Sequence, residues 1–435
     1  MSRSASPDSA PTSAFARNIP LYYLFQFVRG FHFWLPVWFL FLQSQHGLSY
    51  VQIGLMEVLF GIATIAAEVP TGAIADRFGR RVALGFGALG FAGATVLFAL
   101  LNFPALIVGH LFMSITRTLM SGSDDALLFD SLRQLKRTDE YERHAGRSSA
   151  VGTSSLLAAT ILAGPLVSLL DFRAVIIISA VGMGLAGLIA LTLREPPRRE
   201  ADINGDGDGD GDGDQPPSTP SGIAVLNEIR VGLRISLRNR QVLWAILFGG
   251  VLLATLDLPE FFIQPFVRSH GVDPSLDLAQ GLTYSSLMLP SFLGLMIGAM
   301  LAAPLAARLG ERWSLPAVLI AGLLVFIPLL LVDHLALVAS LALLAAATAA
   351  VQPLAGGYIN RRIPSDQRAT VLSIFSLCTA VMITIVIGTA SALVDAYNFQ
   401  AGFAFAFAIL LIGGILFWTT WRRAHANAST LHHGT

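Results

Sequence analysis

Long apolar stretches, separated by short polar segments, recur along most of the chain. A helix that crosses the ~30 Å hydrocarbon core of a bilayer needs about 20 mostly apolar residues, because its backbone polar groups must be satisfied internally. Twelve stretches meet this requirement, and we call them spans 1 to 12. They cover residues 19–42, 50–75, 82–102, 104–131, 147–170, 173–193, 241–267, 279–306, 313–332, 335–359, 370–394 and 399–421. The pattern predicts an all-α polytopic membrane protein.

Composition and charge agree with this prediction. Of the 435 residues, 54% are hydrophobic and 13% are charged, whereas a soluble domain carries roughly 25% charged residues. The formal net charge is zero, so a general attraction to nucleic acid is not expected. Segment 1–18 lacks the features of a secretory signal and is interpreted as an N-terminal tail, and segment 422–435 as a C-terminal tail.

The basic residues predict the orientation of the spans. Loops are numbered by the span they follow, and an arginine at the first residue of a span is counted with the loop before it. On this count, only Arg173 and Arg268 lie in odd-numbered loops, and only Arg29 and Arg117 lie inside spans. The remaining Lys and Arg residues lie in the termini and the even-numbered loops. Because cytoplasmic loops carry the excess of positive charge, both termini are predicted to be cytoplasmic. Abundant arginine, alanine and glycine beside a single lysine suggest a GC-rich bacterial genome, and hence the bacterial inner (plasma) membrane.

A polar linker, 194–240, divides the chain into six-span halves at 19–193 and 241–421. Its Asp-Gly repeat, 205–214, offers carboxylates to Ca²⁺, but such a site needs a folded loop, and disorder is the preferred interpretation. The stretch 223–240 has apolar residues at helical spacing and Arg230, Arg234 and Arg238 at every fourth position. This spacing predicts a surface helix beside anionic lipid.

An internal repeat relates the two halves. The segment GAIADRFGRR, 72–81, aligns with APLAARLGER, 303–312, at an offset of 231 residues. Asp76 is replaced by Ala307 in the second copy. The matched residues are Arg77 with Arg308, Gly79 with Gly310, and Arg81 with Arg312. Two similar halves joined by a cytoplasmic linker predict a parallel repeat.

The first copy of this segment carries a family signature. The pattern G-x-x-x-D-R-x-G-R-R is matched by Gly72, Asp76, Arg77, Gly79, Arg80 and Arg81. On these residues the chain resembles the major facilitator superfamily, over its whole length apart from the tails and the linker. The resemblance implies two pseudo-symmetric six-helix bundles that work by alternating access. It also implies that this loop latches the halves together on the cytoplasmic side, and we assign Asp130 to the same latch. A simple positive anchor is the alternative, and it leaves the spacing of the other signature residues unexplained.

Two further motifs of that family are matched in part. Arg117 keeps the arginine of the span 4 motif, but Met120 and Ser121 replace its following glutamine and glycine. Gly164-Pro165 keeps the centre of the antiporter motif in span 5. The long run EVPTGAIADRFGRR, 68–81, looks like bacterial exporters of poorly defined substrate.

Charged residues inside spans are the candidate functional residues, since each costs at least ~2.5–3.5 kcal/mol at the bilayer centre. In the resembled family, spans 1, 4, 7 and 10 line the cavity. We predict that substrate binding and proton coupling use residues of spans 1, 4 and 7, namely Arg29, His32, Arg117, Asp124, Asp257 and Glu260. In span 4, His110, Arg117 and Asp124 form one predicted polar stripe, and Pro259 is predicted to kink span 7.

The same repeat offset gives a pairing hypothesis. It places Glu260 at the position equivalent to Arg29, so Arg29 is expected to face Asp257 or Glu260. A fixed ion pair that does not titrate is the alternative. Span 2 adds Glu57 and Glu68; Glu68 is expected either to link to the Asp124-Asp125 pair or to have a structural role.

The expected function is secondary active transport, as proton-coupled export of a small drug-like or amphipathic metabolite. The alternative is import or facilitated passage of a small polar or anionic solute, with Arg29, Arg117 and His32 as ligands. A membrane-embedded enzyme or lipid-handling scaffold would need a nucleophile or metal set at one depth, and the sequence offers none. We therefore expect no enzyme activity, cofactor or metal. We expect a monomer whose partners are substrate, protons and the bilayer.

Overall fold

The computed structural model describes residues 15–100, 103–196, 222–364 and 367–431, and most of these residues are helical. The Asp-Gly repeat, predicted to be disordered, lies outside the described residues. The helices are Asn18–Arg29, Trp38–His46, Tyr50–Phe78, Arg80–Leu100, Phe103–Met120, Ser123–Gln134, Tyr141–Leu169, Phe172–Thr192, Gly222–Arg238, Arg240–Leu256, Leu258–Phe261, Ile263–Ser269, Leu278–Leu309, Glu311–Leu331, Val338–Asn360, Arg368–Ala396 and Phe399–Leu431.

Eleven of the described segments are helical, long and apolar enough to cross a membrane, and they correspond to spans 2 to 12. Span 1 departs from the prediction of one unbroken helix, because it is two helices, Asn18–Arg29 and Trp38–His46. Pro36 lies in the interruption. Proline lacks a backbone N–H and disfavours helical geometry in the residue before it, which accounts for a break here. The all-α membrane fold is confirmed, and span 1 is discontinuous.

Spans 4 and 7 are also discontinuous. Span 4 breaks between Met120 and Ser123, where Gly122 has φ 75°, a left-handed conformation that glycine adopts readily. The single polar stripe predicted along this span is therefore wrong, since Asp124 belongs to a second helix. Span 7 breaks at Asp257, and the four-residue helix Leu258–Phe261 follows, with Pro259 in its first turn. The predicted kink is thus a full break of the helix.

Packing divides the chain into two units that differ from its two sequence halves. The first unit comprises Met1–His32, Ala66–Ala159 and Ile176–Val225, and the second comprises Phe33–Ile65, Thr160–Val175 and Leu226–Thr435. For spans 1, 2, 5 and 6, one end of the span therefore belongs to the first unit and the other end to the second. The organisation into bundles 19–193 and 241–421 remains a prediction.

Small residues allow the helices within each unit to approach closely. In the first unit, a Cβ atom added to Gly187 of span 6 would lie 3.0 Å from the carbonyl oxygen of Gly85 in span 3. In the second unit, a Cβ atom added to Gly298 of span 8 would overlap the backbone of Ala346 in span 10. Such contacts are typical of helix packing in membranes, where close van der Waals contact replaces hydrophobic association.

Candidate functional site

A salt bridge in the first unit joins the two broken spans 1 and 4. Arg29 ends the first helix of span 1, and Asp124 lies in the first turn of the second helix of span 4, where a negative charge is favourable. Arg29 Nη1 lies 2.8 Å from Asp124 Oδ2, and both side chains are partly buried. Arg29 thus pairs with Asp124, whereas the sequence analysis expected it to face Asp257 or Glu260.

The other predicted polar residues of spans 1 and 4 differ in their surroundings. The His32 ring lies 6.3 Å from the Phe91 ring of span 3, centroid to centroid. Arg117 is exposed, whereas His110 is buried with its ring 5.9 Å from that of Phe98. His110 and Arg117 therefore do not share one environment, and His110 belongs to the contact between spans 3 and 4.

Three carboxyl groups interact in the second unit. Asp257 at the break in span 7 acts electrostatically on Glu260, and Glu57 of span 2 acts on Asp257. Glu260 Oε2 is buried and has no hydrogen-bond partner among the described residues. The buried Ser291 hydroxyl of span 8, likewise without such a partner, lies near the same carboxyl group. Glu57 joins the predicted pair, so this cluster draws acids from two spans.

Gln264 and Tyr284 bind the backbone of the interruption in span 1. The Gln264 side chain donates from Nε2 to the Leu35 carbonyl at 3.0 Å and accepts from the Phe39 N–H at 3.0 Å. The Tyr284 hydroxyl donates to the Pro36 carbonyl at 2.6 Å. Breaks in membrane helices persist where protein groups satisfy the exposed backbone, and these two side chains do so here.

Aromatic rings surround the break in span 7 on the side of span 1. Phe261, next to Glu260 in sequence, lies 6.0 Å from Trp38 and 5.3 Å from Phe39, centroid to centroid. Phe39 in turn lies 5.9 Å from Tyr50. The carboxyl cluster thus adjoins an aromatic wall.

In the second unit, span 5 crosses span 8 and span 2 meets span 11, in each case near the ends of the helices. At the first, the Gly164 N–H donates to the Ser285 hydroxyl at 3.0 Å, and a Cβ atom added to Gly281 would lie 2.6 Å from the Gly164 carbonyl oxygen. At the second, the Asp395 carboxylate accepts from the Tyr50 and Val51 N–H groups at 3.0 Å each. All four helix ends adjoin odd-numbered loops.

The repeat relates these two crossings. The 231-residue offset carries Gly164 onto Asp395 and Tyr50 onto Gly281. The first crossing brings two glycine backbones together. The second places a carboxylate at the N-terminus of a 29-residue helix, a favourable position for negative charge. Sequence reasoning missed Asp395, which it placed in a short loop, and only the repeat offset links it to Gly164.

Replacing Asp395 with alanine is expected to loosen the start of span 2. Removing a helix-capping carboxylate costs about 1 kcal/mol, so amide exchange at Tyr50 and Val51 should speed up about fivefold. Hydrogen exchange read by mass spectrometry measures this. The control is Asp277→Ala, which removes a cap within span 8 itself, where Asp277 accepts from the Gln280 N–H. Equal protection of span 2 in wild type and the Asp395 variant would contradict the prediction.

The signature loop lies in the first unit and begins span 3. Gly79 has φ 103°, and the Glu195 carboxylate accepts from the N–H groups of Arg80 and Arg81 at 2.8 and 2.7 Å. The Arg80 side chain pairs with Asp130. Glu195, at the start of the linker, is a residue that sequence reasoning missed.

The remaining signature residues have fewer contacts. A Cβ atom added to Gly72 would meet nothing within 4 Å among the described residues. The Arg77 guanidinium lies 5.6 Å from the centre of the Phe78 ring. The Asp76 side chain lies outside the described part of the chain. Its assignment to a latch therefore stays a prediction.

The second copy of the loop repeats this geometry with reversed charge. Gly310 has φ 72°, matching Gly79. Glu311 pairs with Arg361 and with Arg362, and the offset carries Arg80 onto Glu311 and Asp130 onto Arg361. The other matched residues of this copy lie at its surface: Arg308 is exposed and Arg312 stacks on Trp313 at 5.6 Å. Each unit therefore holds one ion pair at an equivalent place, with the signs exchanged.

Comparisons with known proteins agree with this architecture. The model of the Major Facilitator Superfamily matches residues 22–301 and 276–433. The chain is 22% identical over 254 residues to an uncharacterized MFS-type transporter, YxaM of Bacillus subtilis (strain 168). That match covers 58% of this chain and 59% of the relative's length.

Solved structures show the same fold. A point mutant of the nucleoside transporter NupG is similar with a TM-score of 0.76 at 16% identity, covering 93% of this chain and 99% of that one. A bacterial homologue of the human lysosomal transporter Spinster, inward-facing and unoccupied, is similar with a TM-score of 0.66 at 17% identity, covering 95% and 98%. The chain is a multi-pass membrane transporter, not an enzyme, and it belongs to the major facilitator superfamily.

Proposed function

We propose that this transporter exports a small amphipathic organic compound in exchange for protons. The observation that carries the proposal is the carboxyl cluster in the second unit, above all the buried Glu260 Oε2 with no hydrogen-bond partner among the described residues. Ionisable groups within membrane spans are costly to maintain and typically serve ion or substrate movement.

The cluster has the features of a proton-binding site. Asp257 repels both Glu57 and Glu260 when all three are ionised, and a bound proton would relieve that repulsion. A proton on Glu260 would also turn Oε2 into a donor beside the Ser291 hydroxyl, which would then accept a hydrogen bond. Asp257 and Glu260 are thus the proposed coupling residues, with Glu57 as their neighbour.

The neighbouring aromatic wall suggests the class of compound. Trp38 and Phe261, the latter next to Glu260 in the sequence, are partly exposed and offer ring surfaces, and the fully buried Phe39 packs against both rings. A compound with an apolar or aromatic body and a cationic or hydrogen-bonding group would use both surfaces. Such a compound would compete with protons for the carboxylates, which couples its release to proton binding.

Alternating access supplies the conformational step. In the second unit, Gln264 of span 7 and Tyr284 of span 8 hold the end of span 1. Asp395 holds the start of span 2 against span 11, and the Gly164–Gly281 contact holds span 5 against span 8. All of these contacts adjoin odd-numbered loops, which the predicted orientation places outside the cytoplasm. We infer that they separate when the transporter opens to that side, while Arg29 and Asp124 remain paired within the first unit.

The alternative is uptake or facilitated passage of a small polar or anionic solute through Arg29, Arg117 and His32. The name of the similar NupG, a nucleoside transporter, supports testing nucleosides for this function. Substrate charge separates the two proposals, since cation export depends on the carboxylates and anion passage on the arginines.

Transport into proteoliposomes, driven by an imposed pH gradient, tests the proposal. The wild-type chain would be assayed with a panel of cationic, neutral and anionic compounds, including nucleosides. We expect a cationic or amphipathic compound to accumulate against the direction of the proton flow, and dissipation of the gradient to abolish accumulation. Transport of polar solutes alone, at a rate independent of the gradient, would replace proton-coupled export with the facilitator function.

A further inference from the structure

The helix Gly222–Arg238, which we call the linker helix, is held at the boundary of the membrane. A Cβ atom added to Gly232 would lie 2.8 Å from Thr370 Cγ2 and from Ile374 Cγ1. The apolar membrane stretch of span 11 begins at Thr370. The linker helix therefore lies against the first turns of span 11, where its apolar stretch begins.

Its C-terminal end is fixed at the same level. Asn239 follows the linker helix directly, and its side chain caps span 7 by accepting from the Gln241 and Val242 N–H groups at 3.2 and 3.3 Å. Span 7 begins at Arg240. Two independent contacts, to the starts of spans 7 and 11, thus set the depth of the linker helix.

Packing also sets the rotation of the linker helix about its axis. Gly232 and Ser236, four residues apart, are buried, and the Ser236 hydroxyl donates to the Gly232 carbonyl at 2.8 Å. At 100° per residue, positions 230, 234 and 238 lie on the opposite side. Arg230, Arg234 and Arg238 are indeed all exposed. None of the three pairs with an acidic group among the side chains that the structure describes.

The exposed face combines these arginines with apolar side chains. Leu233 is 43% exposed and Leu237 57% exposed, on one flank of the arginine stripe. The sequence from Arg230 to Asn239 contains no acidic residue. A helix with arginines and exposed leucines at the membrane boundary matches the chemistry of an interfacial helix, in which leucines enter the acyl region and arginines bind phosphates.

We propose that Arg230, Arg234 and Arg238 form a binding site for the phosphate groups of anionic lipids. The predicted orientation puts this site on the cytoplasmic leaflet, the surface that carries the anionic lipids. The guanidinium groups bind lipid phosphates by paired, charge-assisted hydrogen bonds. The lipid would then hold the linker helix against spans 7 and 11.

Lipid retention by the purified, full-length transporter tests the site. Wild type and the double variant Arg230→Gln/Arg234→Gln would be reconstituted in nanodiscs of phosphatidylcholine with added phosphatidylglycerol, and bound lipid would be counted by native mass spectrometry after release. The matched control is Arg143→Gln/Arg147→Gln, which removes the same charge from exposed positions at the start of span 5. An arginine near an anionic surface contributes about fivefold in affinity, so the double variant should bind phosphatidylglycerol about 10- to 30-fold more weakly.

Two measurements decide the outcome, namely lipid retention by the variants and competition by inorganic phosphate. Retention that falls in the linker-helix variant, is unchanged in the control and falls less in Arg230→Lys/Arg234→Lys, which keeps the charge but not the paired hydrogen bonds, supports the site. Equal losses of bound lipid in both glutamine variants would show that only net charge matters, and this result would overturn the proposed site. Displacement of the lipid by millimolar inorganic phosphate would also overturn it, because the site would then bind soluble anions.

Discussion

Replacing Glu260 with glutamine is expected to abolish proton-driven accumulation of substrate while leaving substrate exchange at equal pH intact. Glutamine keeps the shape of the side chain but cannot bind and release a proton. A gradient of one pH unit is equivalent to about 1.4 kcal/mol and supports up to about tenfold accumulation for each proton exchanged. The variant should therefore lose about tenfold accumulation per pH unit. Uptake and counterflow in proteoliposomes measure the two quantities separately.

The matched control for this prediction is Glu68→Gln. Glu68 lies in span 2 and is exposed, whereas the Glu260 oxygen is buried, so the same chemical change is made outside the carboxyl cluster. Full accumulation by the Glu68 variant and none by the Glu260 variant would support coupling at the cluster. Normal accumulation by the Glu260 variant would exclude Glu260 as the coupling residue, and Asp257→Asn would then be examined in the same way.

Gly281→Ala is expected to force apart the crossing of spans 5 and 8. The new Cβ atom would lie 2.6 Å from the Gly164 carbonyl oxygen and 2.7 Å from its carbon. Both are backbone atoms, so relief requires a helix to move. Overpacking of this kind costs about 1–3 kcal/mol, which lowers the population of the closed crossing about fivefold to 150-fold. Spin labels at the exposed positions Leu170 and Leu276, in a Cys378→Ser background, would report a longer distance by pulsed electron paramagnetic resonance.

A glycine with open space around it provides the control. A Cβ atom added to Gly93 in span 3 would meet nothing within 4 Å among the described residues, so Gly93→Ala should leave both the distance and the melting temperature unchanged. An unchanged distance in the Gly281 variant would show that the crossing does not depend on backbone contact.

Hydropathy predicted the spans well because a bilayer imposes a signal that is local in sequence. A helix of sufficient length and apolarity spans it whatever its neighbours are, and spans 2 to 12 were located for this reason. Span 1 was predicted without its break, although Gly30 and Pro36 were visible in the sequence. Apolar residues lie on both sides of Pro36, so a window long enough to detect a span averages across the interruption.

Partners were harder to predict than positions. The repeat identified Glu260 as equivalent to Arg29, but equivalence by symmetry does not imply contact, and Arg29 pairs with Asp124. Asp395 and Glu195 likewise lie near the ends of spans, where acidic residues are common. Nothing nearby in the sequence shows which helix each one caps. These contacts depend on how distant helices pack, which has no counterpart in local composition.

The exchanged signs of the Arg80–Asp130 and Glu311–Arg361 pairs bear on how the two halves diverged after a duplication. Starting from identical copies, reversing either residue alone places like charges in contact, so one of the copies had to pass through an unfavourable or neutral intermediate before the compensating change. What both copies retain is an attraction at one place, independent of which residue carries which charge. A double-mutant cycle should therefore show that Arg80→Glu and Asp130→Arg are each destabilising, yet rescue one another when combined.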